Sequence, residues 1–321
     1  MTVVLTIFVQ NILPIFVLIS LGFVLSRQFP VDIKTLTKFN FFLFVPSFTF
    51  VNLYQTAIGI DSLKALTIAL LILGANLAIG WLLARWRGQP AGMRIAFQNS
   101  IAYYNSGNIG IPLVTLVYST GALAMGGRNP YLDVALATQV MVLLVQNLSV
   151  NTLGFFTAGT ANQHWRDALK AIFRMPTVYT VPLALLLKSA PFNLIGTPVW
   201  VVLIYLKNAL VPIALLTLGV QLARTQKLHR ITGDVWLASF TRLVLGPMLA
   251  LGLVRLFGLS GIVAQTLLIS TAVPTAINSA LIAVECKNHP DFAAQVVMVT
   301  TLLSALTLIA VIYAAQILFP V

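Results

Sequence analysis

NSGNIGIPLV at 105–114 and STAVPTAINS at 270–279 interrupt stretches that are otherwise apolar enough to cross a membrane, and they occupy corresponding places in the two halves of the chain. Gly107 and Gly110 permit backbone angles that a helix excludes, while Pro112 and Pro274 lack the N–H that a helix interior needs. In hydrocarbon no water satisfies freed amide groups. An interrupted helix therefore persists at mid-membrane depth only where protein or a watery cavity meets them. One break in each half is the sequence mark of a secondary transporter's binding site.

The rest of the chain agrees. Of its 321 residues 59% are hydrophobic and 8% charged, which describes an integral membrane protein whose solvent is the lipid bilayer. Apolar runs of about 20 residues predict spans at 3–25, 38–57, 63–83, 93–123, 131–157, 173–187, 198–222, 235–256, 261–284 and 291–319. The expected fold is an all-α membrane protein of ten transmembrane helices, arranged as two inverted five-helix repeats with broken, crossing helices 4 and 9. The first run has no basic residue before it and no small-residue cleavage site, so it reads as a retained span rather than a signal peptide.

A net charge of +12 would suggest a nucleic-acid partner in a soluble protein, but here its distribution reports orientation and no nucleic-acid partner is expected. Arg27, Lys34, Lys38, Arg85, Arg87, Arg94, Arg166, Lys170, Arg174, Arg224, Lys227, Arg230 and Lys287 follow odd-numbered spans. Only Lys64, Arg128, Lys188 and Arg255 follow even-numbered ones. Because cytoplasmic loops carry the Lys/Arg excess, both termini are expected outside. Trp81, Trp86, Trp165, Trp200 and Trp236 fall near span ends, where amphipathic rings prefer to sit.

Two proline landmarks recur. Val45-Pro46 precedes Ile111-Pro112 by 66 residues, and Val211-Pro212 precedes Val273-Pro274 by 62. Five spans per half is an odd number, so the halves insert with opposite orientation. The expected division is 1–157 for the first repeat, 158–175 for a polar, basic cytoplasmic linker and 176–321 for the second repeat. Span 4 as one straight helix would measure about 46 Å against a hydrocarbon core of about 30 Å, which an interruption relieves. Pro112 and Pro274 are each expected to open a half-helix.

Two half-helices restarting at mid-membrane present unpaired N–H groups and positive dipole ends, a cationic pocket without a cationic side chain. A small organic carboxylate anion is the fitting guest. The expected binding residues are Asn105, Ser106, Gly107, Asn108, Gly110, Pro112, Pro274, Thr275 and Asn278, with Asn99, Tyr104 and Thr271 as accessory groups. Gln139 and Gln146 share one face of span 5 and are assigned to interhelical packing. Neither break contains Asp, Glu, His or Lys, the groups on which cation coupling usually relies. Lys207 and Arg242 are the deepest cations, each able to snorkel or to pair with a backbone carbonyl. One cysteine, Cys286, and three separated histidines, His164, His229 and His289, argue against a disulfide, a metal or any other cofactor. No nucleophile and base stand together inside the bilayer, so the chain is not read as an enzyme.

NSGNIGIPL, AVPTAINS and the following NHPDFAAQVVMVTTLLSALTL resemble the auxin efflux carrier family of membrane transporters, as do NILPIFVLISLGFVLSR in span 1 and FVPSF in span 2. In the plant members an asparagine stands seven residues before the first crossover proline, as Asn105 does before Pro112. Their His-Pro-Asp turn begins fifteen residues after the second, as His289-Pro290-Asp291 does after Pro274. The resemblance implies a fold similar to bile-acid sodium symporters, with spans 1, 2, 6 and 7 as scaffold and spans 3–5 and 8–10 as a mobile transport domain. An elevator-like movement, substrate binding at the crossovers and a homodimer through the scaffold are implied with it.

The plant members carry a long cytoplasmic loop and an Asn-Pro-Asn-Thr-Tyr segment opening span 6. Here the linker spans only 158–175, and the segment reads Met175-Pro176-Thr177-Val178-Tyr179. The short form is similar to the bacterial branch, in the plasma (bacterial inner) membrane, whose proposed cargoes include malate, malonate and similar carboxylates. The expected activity is carboxylate export, driven by a membrane potential worth about 2.3 kcal/mol per charge per 100 mV. A sodium- or proton-coupled organic-anion symporter shares the architecture, and an anion channel is the reading from another class.

Overall fold

The computed structural model describes residues 3–55, 60–120, 129–158, 173, 176–191, 193–224 and 231–321. Nearly all of the expected 158–175 linker, with His164, Trp165, Arg166, Lys170 and Arg174, lies outside the described residues, as do Arg128, Lys227, His229 and Arg230. The regular elements described are all helical: α1 (Val3–Gln28), α2 (Ile33–Gln55), α3 (Ile60–Trp86) and α4 (Ala91–Ala102) come first. They are followed by α5 (Ser106–Gly110 running on into Ile111–Ser119), α6 (Leu132–Ala158), α7 (Pro176–Ser189) and α8 (Pro198–Arg224). The chain closes with α9 (Gly233–Leu256), α10 (Gly261–Thr271), α11 (Ile277–Glu285) and α12 (Pro290–Leu318). Seven of them, α1, α2, α3, α6, α8, α9 and α12, are long and apolar enough to cross a membrane.

Local chemistry sets the helix ends. Asp32 caps α2 by accepting from the Lys34 N–H at 3.1 Å and the Thr35 hydroxyl at 2.6 Å. After α3 the chain turns through Gly88 at φ +66°, and after α9 through Gly258 at φ +64°, the left-handed conformation that glycine adopts without a Cβ penalty. The two turns share one hydrogen-bond pattern. Arg87, Gly88 and Gln89 donate to Leu83, Arg85 and Ala84; 170 residues later Phe257, Gly258 and Leu259 donate to Leu253, Arg255 and Val254. The same offset carries the start of α4 at Ala91 onto the start of α10 at Gly261. Pro112 stands in the first turn of the α-helical part of α5, just past the π turn, where a proline opening a half-helix is expected, while Pro274 sits in the unwound stretch before α11 and opens none.

Prolines leave a second mark. Widened π turns at Phe8–Ile12, Asn40–Phe44, Ser106–Gly110 and Thr241–Leu245 are each followed two residues later by Pro14, Pro46, Pro112 or Pro247. A proline ring collides with the carbonyl four residues back, and a five-residue turn just upstream moves that carbonyl aside. Such a turn also swings its side chains off the regular helical face. Three of the four carry groups that matter below: Asn40, Ser106 to Asn108, and Arg242.

The broadest helix contact is α1 against α8. Their backbones touch: a Cβ on Gly22 would strike the Leu216 carbonyl and one on Gly219 the Ile19 carbonyl, the close approach that small residues permit in membranes. α2 packs on α7 and α8, whereas α3, α4, α6 and α10 pack among themselves. Trp81, Trp86 and Trp236 are exposed, as interfacial rings should be. Trp200 also stands at a span end, the start of α8, but is buried, its ring centroid 5.4 Å from that of Tyr54.

Candidate functional site

Between α4 and α5, and between α10 and α11, the chain unwinds, and the two unwound stretches pair with each other. Tyr104 and Thr275 form an antiparallel bridge, in which the Asn105 N–H donates to the Pro274 carbonyl at 2.8 Å and the Ala276 N–H to the Tyr103 carbonyl at 2.9 Å. Each break thus satisfies the amide groups freed by the other. Side chains complete the joint. Tyr104 N–H donates to Gln146 Oε1 at 3.1 Å, Thr275 N–H to Thr300 Oγ1 at 3.2 Å, and the Thr275 hydroxyl to the Ser100 carbonyl at 2.8 Å. Gln139 spans both halves, donating to the Ser106 carbonyl at 2.7 Å and accepting from the Ser270 hydroxyl.

The restarted helices α5 and α11 both open onto one small cavity of about 40 Å³, lined by Ser106, Gly107 and Asn108 from one and by Ala276, Ile277 and Asn278 from the other. First-turn N–H groups have no intrahelical acceptor and carry the positive end of the dipole. Asn105 caps α5, its Oδ1 accepting from the Asn108 N–H at 3.1 Å. Asn40, Phe41 and Val45 of α2 and Gln146, Asn147 and Val150 of α6 close the remaining walls.

The polar atoms left over on these walls are mostly donors. Asn105 Nδ2 and the Tyr103 hydroxyl are buried without a hydrogen-bond partner, as is one acceptor, Asn40 Oδ1, while Gln146 Nε2 and the Tyr104 hydroxyl meet only each other, in a weak contact. The amide orientations are fixed by their neighbours. Asn105 Oδ1 and Gln146 Oε1 already accept from backbone N–H groups, so flipping either amide would set donor against donor. Asn40 donates to Thr217 Oγ1 at 3.3 Å, whose own proton goes to the Ile213 carbonyl at 2.6 Å. A buried donor without an acceptor carries a desolvation cost of about 1–3 kcal/mol, and such donors on residues that line one space suit it to an electron-rich guest.

On the opposite side of the joint stands Arg242 of α9. It is fully buried, donates through Nη1 to the Ile101 carbonyl at 3.0 Å and through Nη2 to the Thr271 carbonyl, and holds its guanidinium carbon 4.6 Å from the Tyr104 ring centroid.

Of the residues expected from sequence, Asn105, Ser106, Gly107, Asn108, Asn278 and Tyr104 line the cavity. The others stand behind it. Gly110 makes room for Gln139, whose Nε2 would lie 2.6 Å from a Cβ there. Pro112 is buried in α5, Pro274 lends its carbonyl to the bridge, Thr275 ties the bridge to α4 and α12, and Thr271 serves Arg242 through its carbonyl. Asn99 donates to the Gly154 carbonyl at 3.3 Å and takes no part in the walls. Gln146 and Asn40 are additions that the sequence reading did not assign to the site. Their signals were the seven-residue spacing from Gln139 and the position six residues before Pro46. Beyond the membrane segments, Cys286 follows α11 directly, its thiol pushed up by burial and by the neighbouring Glu285 charge. No cluster of metal-ligating side chains occurs among the described residues.

Membrane-length helices built around two unwound, mutually paired breaks define a membrane transport protein. The family model described as membrane transport protein matches residues 7–164 and 165–312, and the chain belongs to that family, the auxin efflux carriers. It is also similar to an uncharacterized transporter of Methanothermobacter thermautotrophicus, with 25% identity over 307 residues that cover 93% of this chain and 95% of the relative.

Proposed function

We propose that the chain is a secondary transporter of small organic anions, carboxylates above all, which it exports by alternating access with the substrate held where the two breaks cross. The observation that carries this reading is the set of donors around the cavity. Two helix starts open onto it, Asn105, Gln146, Tyr103 and Tyr104 among its lining residues carry buried donors short of acceptors, and no acidic side chain is among those residues. Sodium or proton coupling would call for a buried carboxylate, and the buried polar residues described include none.

The same proposal takes the pairs α4/α5 and α10/α11 as interrupted spans, which with α7 and the seven long helices makes ten. The recurrence of turns and helix starts at an offset of 170 residues supports two related halves, inverted because each holds five spans. Packing supports the division into scaffold and transport unit, since α1 packs on α8 and α2 on both α8 and α7, and the cavity lies between α2 and the breaks. An elevator-like shift of the transport unit, a homodimer through the scaffold, and a plasma-membrane position with both termini outside complete the reading.

A thermal-shift screen of monocarboxylates and dicarboxylates on purified protein tests it. A bound carboxylate is expected to raise Tm in proportion to the logarithm of its concentration. Reconstituted vesicles supply the second reading: efflux should follow an imposed potential in the absence of any sodium or proton gradient. Transport that ignores the potential and requires either gradient would overturn the export proposal in favour of a coupled symporter.

A further inference from the structure

Arg242 is the largest fully buried side chain and the only charged one among the buried residues described, and the proposed site makes no direct use of it. Its two hydrogen bonds go to Ile101 in the last turn of α4 and to Thr271 at the end of α10. One guanidinium therefore holds the negative dipole ends of both inner half-helices. The described ion pairs, Lys64 with Asp61 and Arg87 with Asp234, do not include it, so its charge is met by carbonyls, helix ends and the Tyr104 ring. Gly246, one turn on, leaves the space, for a Cβ there would lie 2.9 Å from Arg242 Nη2. A cation buried in a membrane domain without a carboxylate is costly, and such groups mark function. In carriers built from broken helices, half-helix C-terminal ends and unwound carbonyls are where a coupling cation is held.

We infer that Arg242 is a tethered cation standing in the place of a coupling ion, moving with the transport unit and offsetting the charge of a carboxylate bound in the cavity that Tyr104 also lines. The inference rests on the anion reading above and deepens it. It fixes which step feels the membrane potential. With a singly charged carboxylate aboard, the charges of guanidinium and guest cancel; the empty unit carries one positive charge. An inside-negative potential then draws the empty unit inward and leaves the loaded passage unaffected. The full cycle still moves one negative charge outward, so net export is electrogenic while exchange of one anion for another is not. Arg242 acts as a positioning and charge-compensating residue.

Two measurements test this, and the first needs no transport. In detergent, Arg242→Ala leaves two carbonyl ends facing a vacated space, and free guanidinium at about 10 mM is expected to raise the Tm of this variant by roughly 3 °C or more while leaving the parent unchanged. In vesicles, the parent should exchange labelled for unlabelled monocarboxylate at one rate with or without a potassium diffusion potential. Net efflux should respond to that potential. Arg242→Gln should make exchange potential-sensitive by about twofold or more, and Arg242→Lys should keep it insensitive.

Exchange by the parent that changes about twofold with potential overturns the inference, even if Arg242→Ala does not fold. So does a folded Arg242→Ala that ignores guanidinium, or an Arg242→Gln whose exchange behaves as the parent's. A parent that no carboxylate stabilises sinks the anion reading instead, and the guanidinium measurement still reports on Arg242 by itself.

Discussion

Asn105 does two things with one amide: its oxygen caps α5 and its nitrogen is left free at the cavity. The two roles separate by substitution. Asn105→Asp keeps the capping acceptor and replaces the free donor with a second, negatively charged acceptor. It is expected to keep a parent-like Tm without ligand and to lose the carboxylate-induced shift. Asn105→Ala removes both and should lower Tm by the worth of a cap, about 1 kcal/mol, as well as weakening carboxylate binding about 10- to 100-fold. If Asn105→Asp binds the best carboxylate as the parent does, the free Nδ2 is not part of the site. Asn105 was legible in the sequence because it stands at fixed distance from a proline, between glycine-rich and apolar runs. Gln146 was not. An amide in a membrane helix more often joins helices, and only the path of α6 past the break decides that its oxygen meets the Tyr104 N–H.

At the level of elements, prolines and glycines do the shaping. Pro46 sits two residues past the π turn that carries Asn40. Without the ring that turn can tighten to an α-helix, which rotates Asn40 by roughly a quarter of a turn relative to the rest of α2. Pro46→Ala is therefore expected to retain or gain stability and to weaken carboxylate binding, with Tm and ligand-induced shift moving in opposite directions; a variant whose ligand shift is unchanged would show that the turn does not need its proline. Gly22 and Gly219 carry the opposite kind of prediction. A side chain at Gly219 must displace backbone of α1, so Gly219→Val should cost at least about 3 kcal/mol and appear as lost monodisperse protein, while Gly74→Ala, open on all sides, should be silent. The sequence marked both breaks, because Gly and Pro each weaken a helix, and an apolar run that must keep its amides paired in lipid tolerates few of them close together. The recurrence at an offset of 170 was not legible there, because it lies in turn geometry at Gly88 and Gly258, which depends on backbone hydrogen bonds rather than on side-chain identity.

At the scale of the whole molecule the cavity itself argues for movement. A space of about 40 Å³ holds a few waters, whereas sites for small ligands enclose about 300 Å³ or more. The proposed carboxylate therefore needs the walls to part. The wall free to part is α2, because the others are tied together by the bridge, Gln139, Gln146 and Arg242. Val45 of α2 and Ile277 of α11 line the same cavity. With Cys286→Ser removing the native thiol, Val45→Cys paired with Ile277→Cys should crosslink on oxidation in the closed arrangement. The crosslinked protein should show neither carboxylate-induced stabilisation nor flux, and a reductant should restore both, whereas each single cysteine should behave as the parent under oxidant. A crosslinked form that still binds would place the opening elsewhere, between α6 and the breaks, and would separate α2 from the gate. The tight closure also explains why the cavity was not legible in the sequence: its floor is written in two local motifs, but its lid comes from a helix that ends fifty residues before the first of them, and the space between them exists only once α2 has packed on α8.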